Sequence, residues 1–239
     1  MEARFSMLDA FGAIYWVDDN GLNRQDDLRS EPRHYSNLRY GPISHVDVSD
    51  PLHILVFYQH SGMIEFLDKN LAPKDIPGFP PAWMQADPPS LVTTSVQQGF
   101  WAFFPQTMSL KRYDSRMNLQ AENENLQQQL PQFAEPLFMV EAQGQLFVAT
   151  TNHNLFVFDS FGNFLFTLKG PESDRFQVVG NNLVSFSGNK MRIFNFIKSS
   201  ETVYLLPEGN IQQGFIRGAS LLLQTSNSIN KYLLPMSLF

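Results

Sequence analysis

The chain contains no cysteine. That excludes disulfides, thiolate catalysis, Cys-ligated zinc and iron–sulfur clusters. It leaves the compartment open, because 239 residues bury enough surface to stand without disulfides even in an oxidising space. Charge is scarce too. Charged residues make up 17% of the chain, and 17 Lys and Arg stand against 23 Asp and Glu, a net charge of −6. With no basic stripe, no nucleic-acid partner is expected. No apolar run approaches the roughly 18 residues of a membrane-spanning helix, so no transmembrane segment is expected.

Motifs of known chemistry are missing as well. There is no Gly-rich phosphate loop, no His-Glu-x-x-His, no EF-hand loop and no Gly-x-Ser-x-Gly. On these grounds the chain is expected to be no enzyme and to carry no cofactor and no metal. The N-terminal Met-Glu-Ala-Arg-Phe-Ser lacks the basic-then-apolar layout of a signal peptide. At face value this implies the cytoplasm. A mature domain cut behind a removed leader reads the same way, and would be periplasmic or a membrane-associated lipoprotein.

What is present is apolar and repetitive. Apolar residues make up 43% of the chain, and 22 residues are Phe. One unit recurs: a short alternating run, Gly or Asn, a more continuous apolar run, a tight turn, and a run closing on Asp or Asn. The clearest copy is Gln-Leu-Phe-Val-Ala-Thr-Thr (145–151), Leu-Phe-Val-Phe-Asp (155–159) and Phe-Leu-Phe-Thr-Leu (164–168). Others are His-Ile-Leu-Val-Phe-Tyr (53–58) with Met-Ile-Glu-Phe-Leu-Asp (63–68), and Gly-Phe-Trp-Ala-Phe-Phe (99–104) with Leu-Lys-Arg-Tyr-Asp (110–114). Equivalent positions fall near Asp26, Asp68, Asp114, Asp159, Asn195 and Leu233, a mean step of about 41 residues.

Runs of four to six residues rich in Phe, Val, Ile and Tyr, bounded by Gly and Asn, read as strands. A period near 40 with four short strands per unit is propeller spacing. The chain is therefore expected to be all-β, a single six-bladed β-propeller over 1–239 with mostly four-stranded antiparallel blades. The blades are placed at about 1–40, 41–80, 90–130, 135–170, 174–208 and 210–239, the last with three strands. Residues 117–130 read as an outer strand with a polar excursion of one or two helical turns.

Candidate binding residues are few. His45 and Asp47 stand two apart on a strand, so both project from one face, where a carboxylate could orient an imidazole. The same segment, Ile-Ser-His-Val-Asp-Val (43–48), also alternates like an ordinary inner strand, and a solvated channel-lining pair is the preferred reading. The proline-rich loop 77–89 offers Trp83 and Met84 as a surface anchor, and the polar arm offers Glu122 and Gln128. Asp68, Asp114 and Asp159 recur at one place in the unit and read as turn caps rather than an acidic cluster. Two functions remain open: a non-enzymatic protein-binding module, and a channel-mouth enzyme or small-ligand (sugar) binder built on His45 and Asp47.

The stretch Tyr-Gly-Pro-Ile-Ser-His-Val-Asp-Val-Ser-Asp-Pro-Leu-His-Ile-Leu-Val-Phe-Tyr (40–58), followed by Ile-Glu-Phe-Leu-Asp (64–68), resembles a group of Bacteroidota envelope proteins. So do Phe-Val-Phe-Asp-Ser-Phe-Gly-Asn (156–163) and Arg-Phe-Gln-Val-Val (175–179). The resemblance spans nearly the whole chain, and residues 47–58 are its most specific part. It implies a periplasmic or lipid-anchored propeller without enzymatic residues, partnering an outer-membrane export barrel as an accessory or plug of type IX secretion. The chain departs from that group in having no visible leader, and in His45 and His53.

Overall fold

The computed structural model describes residues 3–27, 29–75, 86–171, 173 and 175–234. Their strands form six sheets, each built from consecutive antiparallel strands. Blade A holds β1 (Phe5–Leu8), β2 (Ile14–Asp18), β3 (Gly21–Gln25) and β4 (Arg33–Tyr35). Blade B holds β5 (His45–Asp47), β6 (Ile54–Tyr58) and β7 (Met63–Leu67). Blade C holds β8 (Leu91–Ser95), β9 (Gly99–Phe104), β10 (Ser109–Asp114) and β11 (Leu119–Asn123). Blade D holds β12 (Pro136–Ala142), β13 (Gln145–Thr150), β14 (Asn154–Asp159) and β15 (Phe164–Lys169). Blade E holds β16 (Phe176–Val179), β17 (Asn182–Ser187), β18 (Lys190–Asn195) and β19 (Ser200–Leu205). Blade F holds β20 (Gln213–Arg217), β21 (Ser220–Gln224) and β22 (Ile229–Leu233).

The repeat thus folds as the six-bladed propeller that its period predicts, with two three-stranded blades. In blade B the fourth strand shrinks to one bridge, Leu67 to Pro73, because Pro73 has no N–H with which to extend the ladder. The polar excursion of blade C is β11 followed by a one-turn helix, Leu126–Gln129. No helix among the described residues is long and apolar enough to cross a membrane.

Strand alternation explains how the ring holds. Side chains of β6 point alternately to the two neighbouring blades. Ile54, Val56 and Tyr58 join the cluster shared with Phe5, Tyr15 and Val17 of blade A. Leu55 and Phe57 join the cluster with Phe100, Ala102 and Phe104 of blade C. The pattern repeats around the ring. Trp101 and Phe103 of β9 meet Leu146, Val148, Phe156 and Phe158 of blade D. Phe147 and Val157 turn instead toward Phe176 and Leu183 of blade E, while Val184 and Phe186 pack on Ile216, Leu221 and Leu223 of blade F. Middle strands buried on both faces need continuous apolar runs, which is why they read so clearly in the sequence.

Five of the six blade interfaces carry such a cluster, and the seam between F and A is different. There Phe215 packs only partly buried against the blade A cluster. Polar bonds supplement it, from the Gln224 amide to the Ala3 carbonyl and from Lys231 Nζ to Gly12 O at 3.0 Å. Among the described residues no strand is exchanged across the seam.

Two glycines are required by close approach. At Gly99, φ is 148° and a Cβ would lie 1.9 Å from the Tyr113 carbonyl oxygen. At Gly214, a Cβ would lie 2.4 Å from the Phe186 ring, so this glycine lets blade E's aromatic ring lie flat on β20.

Phe156→Ala removes a fully buried ring from the C–D cluster. It should lower unfolding free energy by about 3–5 kcal/mol, measured by urea denaturation. Leu165→Ala on exposed β15 should change it by less than about 1 kcal/mol. Equal losses at the two sites would contradict wedge packing as the source of stability.

Candidate functional site

The six inner strands enclose an axial cavity of about 750 Å³, whose lining includes His45, Asp47, Glu141, Arg175, Gln177 and Arg217. His45, Asp47, Glu141, Gln177 and Arg217 lie on inner strands, and Arg175 directly precedes one.

Asp47 is 9% exposed. Its Oδ1 accepts from Ser49 N at 2.9 Å and Ser49 Oγ at 2.6 Å. Its Oδ2 accepts from Thr93 Oγ1 at 2.9 Å, Thr94 N at 3.0 Å and Thr94 Oγ1 at 2.6 Å. Burial works to raise its pKa. The neighbouring His45 and the bonds from Ser49 and Thr94 outweigh burial, and the carboxyl lies below the usual carboxylate range. Five donors fill the roughly four lone-pair sites of a carboxylate, so Asp47 clamps β5 of blade B to β8 of blade C.

His45 is not among the donors to that carboxylate. Its Nε2 is buried without a partner, and its ring meets Phe138 edge-on with centroids 6.0 Å apart. Burial, reinforced by Arg175 and opposed by Asp47, pushes its pKa down to about 4. The structure therefore places the two predicted residues side by side on the channel, as a neutral imidazole beside a carboxylate already engaged elsewhere.

Other wall residues went unsuspected. Glu141 Oε2 accepts from Trp101 Nε1 at 2.8 Å, tying blade D to blade C, while its Oε1 is buried with no partner. Arg175 lies with its guanidinium carbon 4.7 Å from the Phe5 ring centroid and 5.8 Å from that of Phe138. Arg217 Nη2 donates to Ser49 O at 3.4 Å, and its Nε is buried without a partner. Gln177 both donates to and accepts from the Ile216 backbone, at 3.0 and 2.6 Å, joining E to F. The one available signal was a polar residue in or directly beside an inner strand.

The remaining candidates lie apart from the channel. Trp83 and Met84 fall outside the described residues. Glu122 pairs with Lys111 across β10 and β11. Gln128 stands exposed on the one-turn helix beside an open groove of about 640 Å³. That arm is pinned at its base by Leu126 and Leu130, which are buried in the C–D cluster.

The repeated acids cap turns. Asp114 accepts from Arg116 N and Asn118 N at 2.8 and 2.9 Å, and Asp159 from Phe161 N and Asn163 N at the same distances. Asp68 caps in the same way, through Asn70 N and Ala72 N at 2.7 and 2.9 Å. No three His, Asp or Glu among the described residues gather as metal ligands.

No protein-family model matches the chain, and no curated protein matches it. Solved structures do. A streptogramin B lyase matches with a TM-score of 0.61 at 13% identity, over 98% of this chain and 83% of the lyase. A chain of a nidogen/laminin complex matches with a TM-score of 0.63 at 12% identity, over 85% and 81%. PorZ, a surface component of the type-IX secretion system of Porphyromonas gingivalis, matches with a TM-score of 0.57 at 11% identity, over 99% of this chain and 37% of PorZ. At such identities the likeness is one of fold, and the three proteins do different things.

The expectation that the chain is no enzyme is corrected by this comparison. A lyase is built on the same architecture. Chemistry is grafted onto a fold by a few side chains, so neither the fold nor a missing motif excludes it.

His45 also makes stability depend on pH. Its folded pKa of about 4 lies below the ordinary value near 6.5, so the unfolded chain binds the extra proton first. Stability is fully present above about pH 6.5 and falls as pH drops toward 4, by on the order of 2 kcal/mol. Urea titrations at several pH values should show this slope, and His45→Asn should flatten it. An unchanged slope in the variant would assign it to other groups.

Proposed function

We propose that the chain is a protein-docking propeller of the bacterial envelope, serving outer-membrane protein export as an accessory or plug subunit. The observation that carries this reading is the outer edge of blades D to F. Of the fourteen exposed large apolar side chains among the described residues, eight lie there: Phe161, Phe164, Leu165, Phe166, Ile197, Val203, Leu205 and Leu233. Phe161 is 66% exposed and Leu205 73%. Monomeric surfaces rarely leave such a concentration uncovered unless something binds it.

Charge follows the same division. Residues 160–239 hold seven Lys and Arg against four Asp and Glu, whereas residues 1–159 hold ten against nineteen. Lys169, Lys190 and Lys198 are exposed on the apolar half, and Lys190 stands directly across the ladder from Leu205. An apolar edge ringed by lysines suits an apolar partner surface with an acidic rim.

The resemblance of residues 40–68 to the Bacteroidota group supports the envelope setting, periplasmic or lipid-anchored. The fold shared with PorZ agrees with a place beside type IX export. Neither support bears on whether the channel also performs a reaction.

A photo-crosslinking residue at Leu205 or Leu165 should give one adduct with an outer-membrane barrel protein in native envelopes, and one at Leu119 on blade C should not. Leu205→Asp with Leu165→Asp should abolish co-purification with that barrel while leaving thermal unfolding within a few degrees of wild type. Recovery of uncrosslinked chain alone, or adducts equal at all three positions, would remove the basis of the reading.

A further inference from the structure

We infer that blade E takes its partner as an added strand: an extended segment of alternating apolar and polar residues, with an acidic residue near one end, pairs along the free edge of β19. The inference rests on the docking reading above and names the contact which that docking uses. A bare strand edge invites pairing with another chain, and proteins blunt such edges by shortness, proline, a bulge or a lysine.

Among the described residues, five of the six blades carry such a device. β4 of blade A is three residues long. Blade B ends in the bridge from Leu67 to Pro73. β11 of blade C is bulged, because Ala121 and Leu119 face successive residues of β10 and Gln120 is left over. β15 of blade D is bulged in the same way at Leu165, between Phe164 and Phe166. Blade F places Lys231 at the centre of β22, with its Nζ on Gly12 O. β19 has none of these. Its six residues, Ser200–Leu205, pair with β18 in one unbroken register.

That register decides which groups of β19 are free. Leu206 N donates to Asn189 O at 2.8 Å, one step beyond the pair of Lys190 with Leu205. Hydrogen-bonded and non-hydrogen-bonded pairs alternate along an antiparallel ladder. Ser200, Thr202 and Tyr204 therefore turn their N–H and C=O toward β18, and Glu201, Val203 and Leu205 turn theirs outward. Among the described residues no other strand bonds those outward groups. Main-chain bonds of this kind supply the affinity when a peptide joins a sheet edge.

The side chains set the chemistry of the added strand. Paired residues share a face of the sheet. Glu201 pairs with Phe194, which packs in the cluster between blades D and E, so Val203 and Leu205 lie on that face as well. They are 43% and 73% exposed, and apolar residues opposite them would cover both. Thr202 and Tyr204 lie on the other face, Tyr204 against the E–F cluster and Thr202 exposed, which suits polar residues in between. Glu201 is matched by Arg192 at 3.3 Å. Lys190, beside Leu205, and Lys198 are exposed and have no ion pair among the described residues, so an acidic residue fits there. A second copy of this chain would bring the same lysines to the edge and meet like charge.

The test uses the full chain in native envelopes, with the photo-crosslinking residue at Leu165. Val203→Pro deletes an outward N–H and leaves the bonds to β18 in place, whereas Val203→Thr keeps that N–H. Wild type and Val203→Thr should give the adduct with the outer-membrane barrel protein. Val203→Pro should cut its yield about tenfold or more, with thermal unfolding within a few degrees of wild type. Glu201→Pro deletes the neighbouring outward N–H and should act alike, so it serves where Val203→Pro unfolds. An undiminished adduct in the proline variants overturns the inference and leaves the docking reading standing. Equal loss in Val203→Thr does the same, by assigning the contact to side chains alone. Unfolding of both proline variants would put those N–H groups inside the ladder and overturn it too, as would an adduct of twice the chain's mass, which gives the edge to a second copy. No adduct from the wild-type chain removes the docking reading itself, and this inference with it.

Discussion

Everything in this molecule depends on one packing device: the middle strand of a blade gives alternate side chains to the blades on either side. Tyr58 and Phe57, adjacent in sequence, belong to two different interblade clusters, as do Phe147 and Leu146. A single blade would leave both faces of its sheet in water. Six blades in a ring leave almost none of that surface open, and the buried aromatic rings dominate the gain.

Polar groups then act between wedges that the apolar groups hold together. Asp47 binds blade B to blade C, Glu141 binds D to C, Gln177 binds E to F, and Gln224 reaches across the seam to Ala3. Glu65 of blade B does the same on the A side, accepting from Tyr35 Oη at 2.5 Å and Asn37 Nδ2 at 3.0 Å. Burial, with the adjacent Glu65, raises the Tyr35 pKa to about 12, so this hydroxyl stays a donor at any ordinary pH. Asp47 and Glu141 sit on inner strands beside the axis, and Glu65 sits on the outer strand of blade B.

The two regions of functional interest are physically separate. One is the axial cavity, walled by inner strands from all six blades. The other is the apolar, lysine-flanked edge of blades D to F, made by outer strands. A propeller can carry both because inner and outer strands answer to different demands: the inner strand must satisfy polar atoms around a narrow axis, and the outer strand is constrained on one side only. That freedom lets Phe164, Leu165 and Phe166 sit consecutively on an edge strand, where one side chain in two would suffice for packing.

Strand runs, blade number, the Asp caps and the short helix after β11 were all legible in the sequence, because each is a local pattern of period two or a fixed turn offset. The three-stranded ending of blade F was legible as well. The pairing of His45 with Asp47 was legible only as a shared face. Which donors would reach that carboxylate depends on Thr93 and Thr94, which lie more than forty residues away and come into contact only when two wedges meet. Glu141, Arg175 and Arg217 carried no motif, and the apolar edge read simply as strand. Local spacing by itself determined the fold, because backbone periodicity and burial of alternate side chains are nearest-neighbour physics. Ring closure alone decided which polar atoms stay open and which apolar strands stay bare, because both depend on what the neighbouring blade brings to the contact.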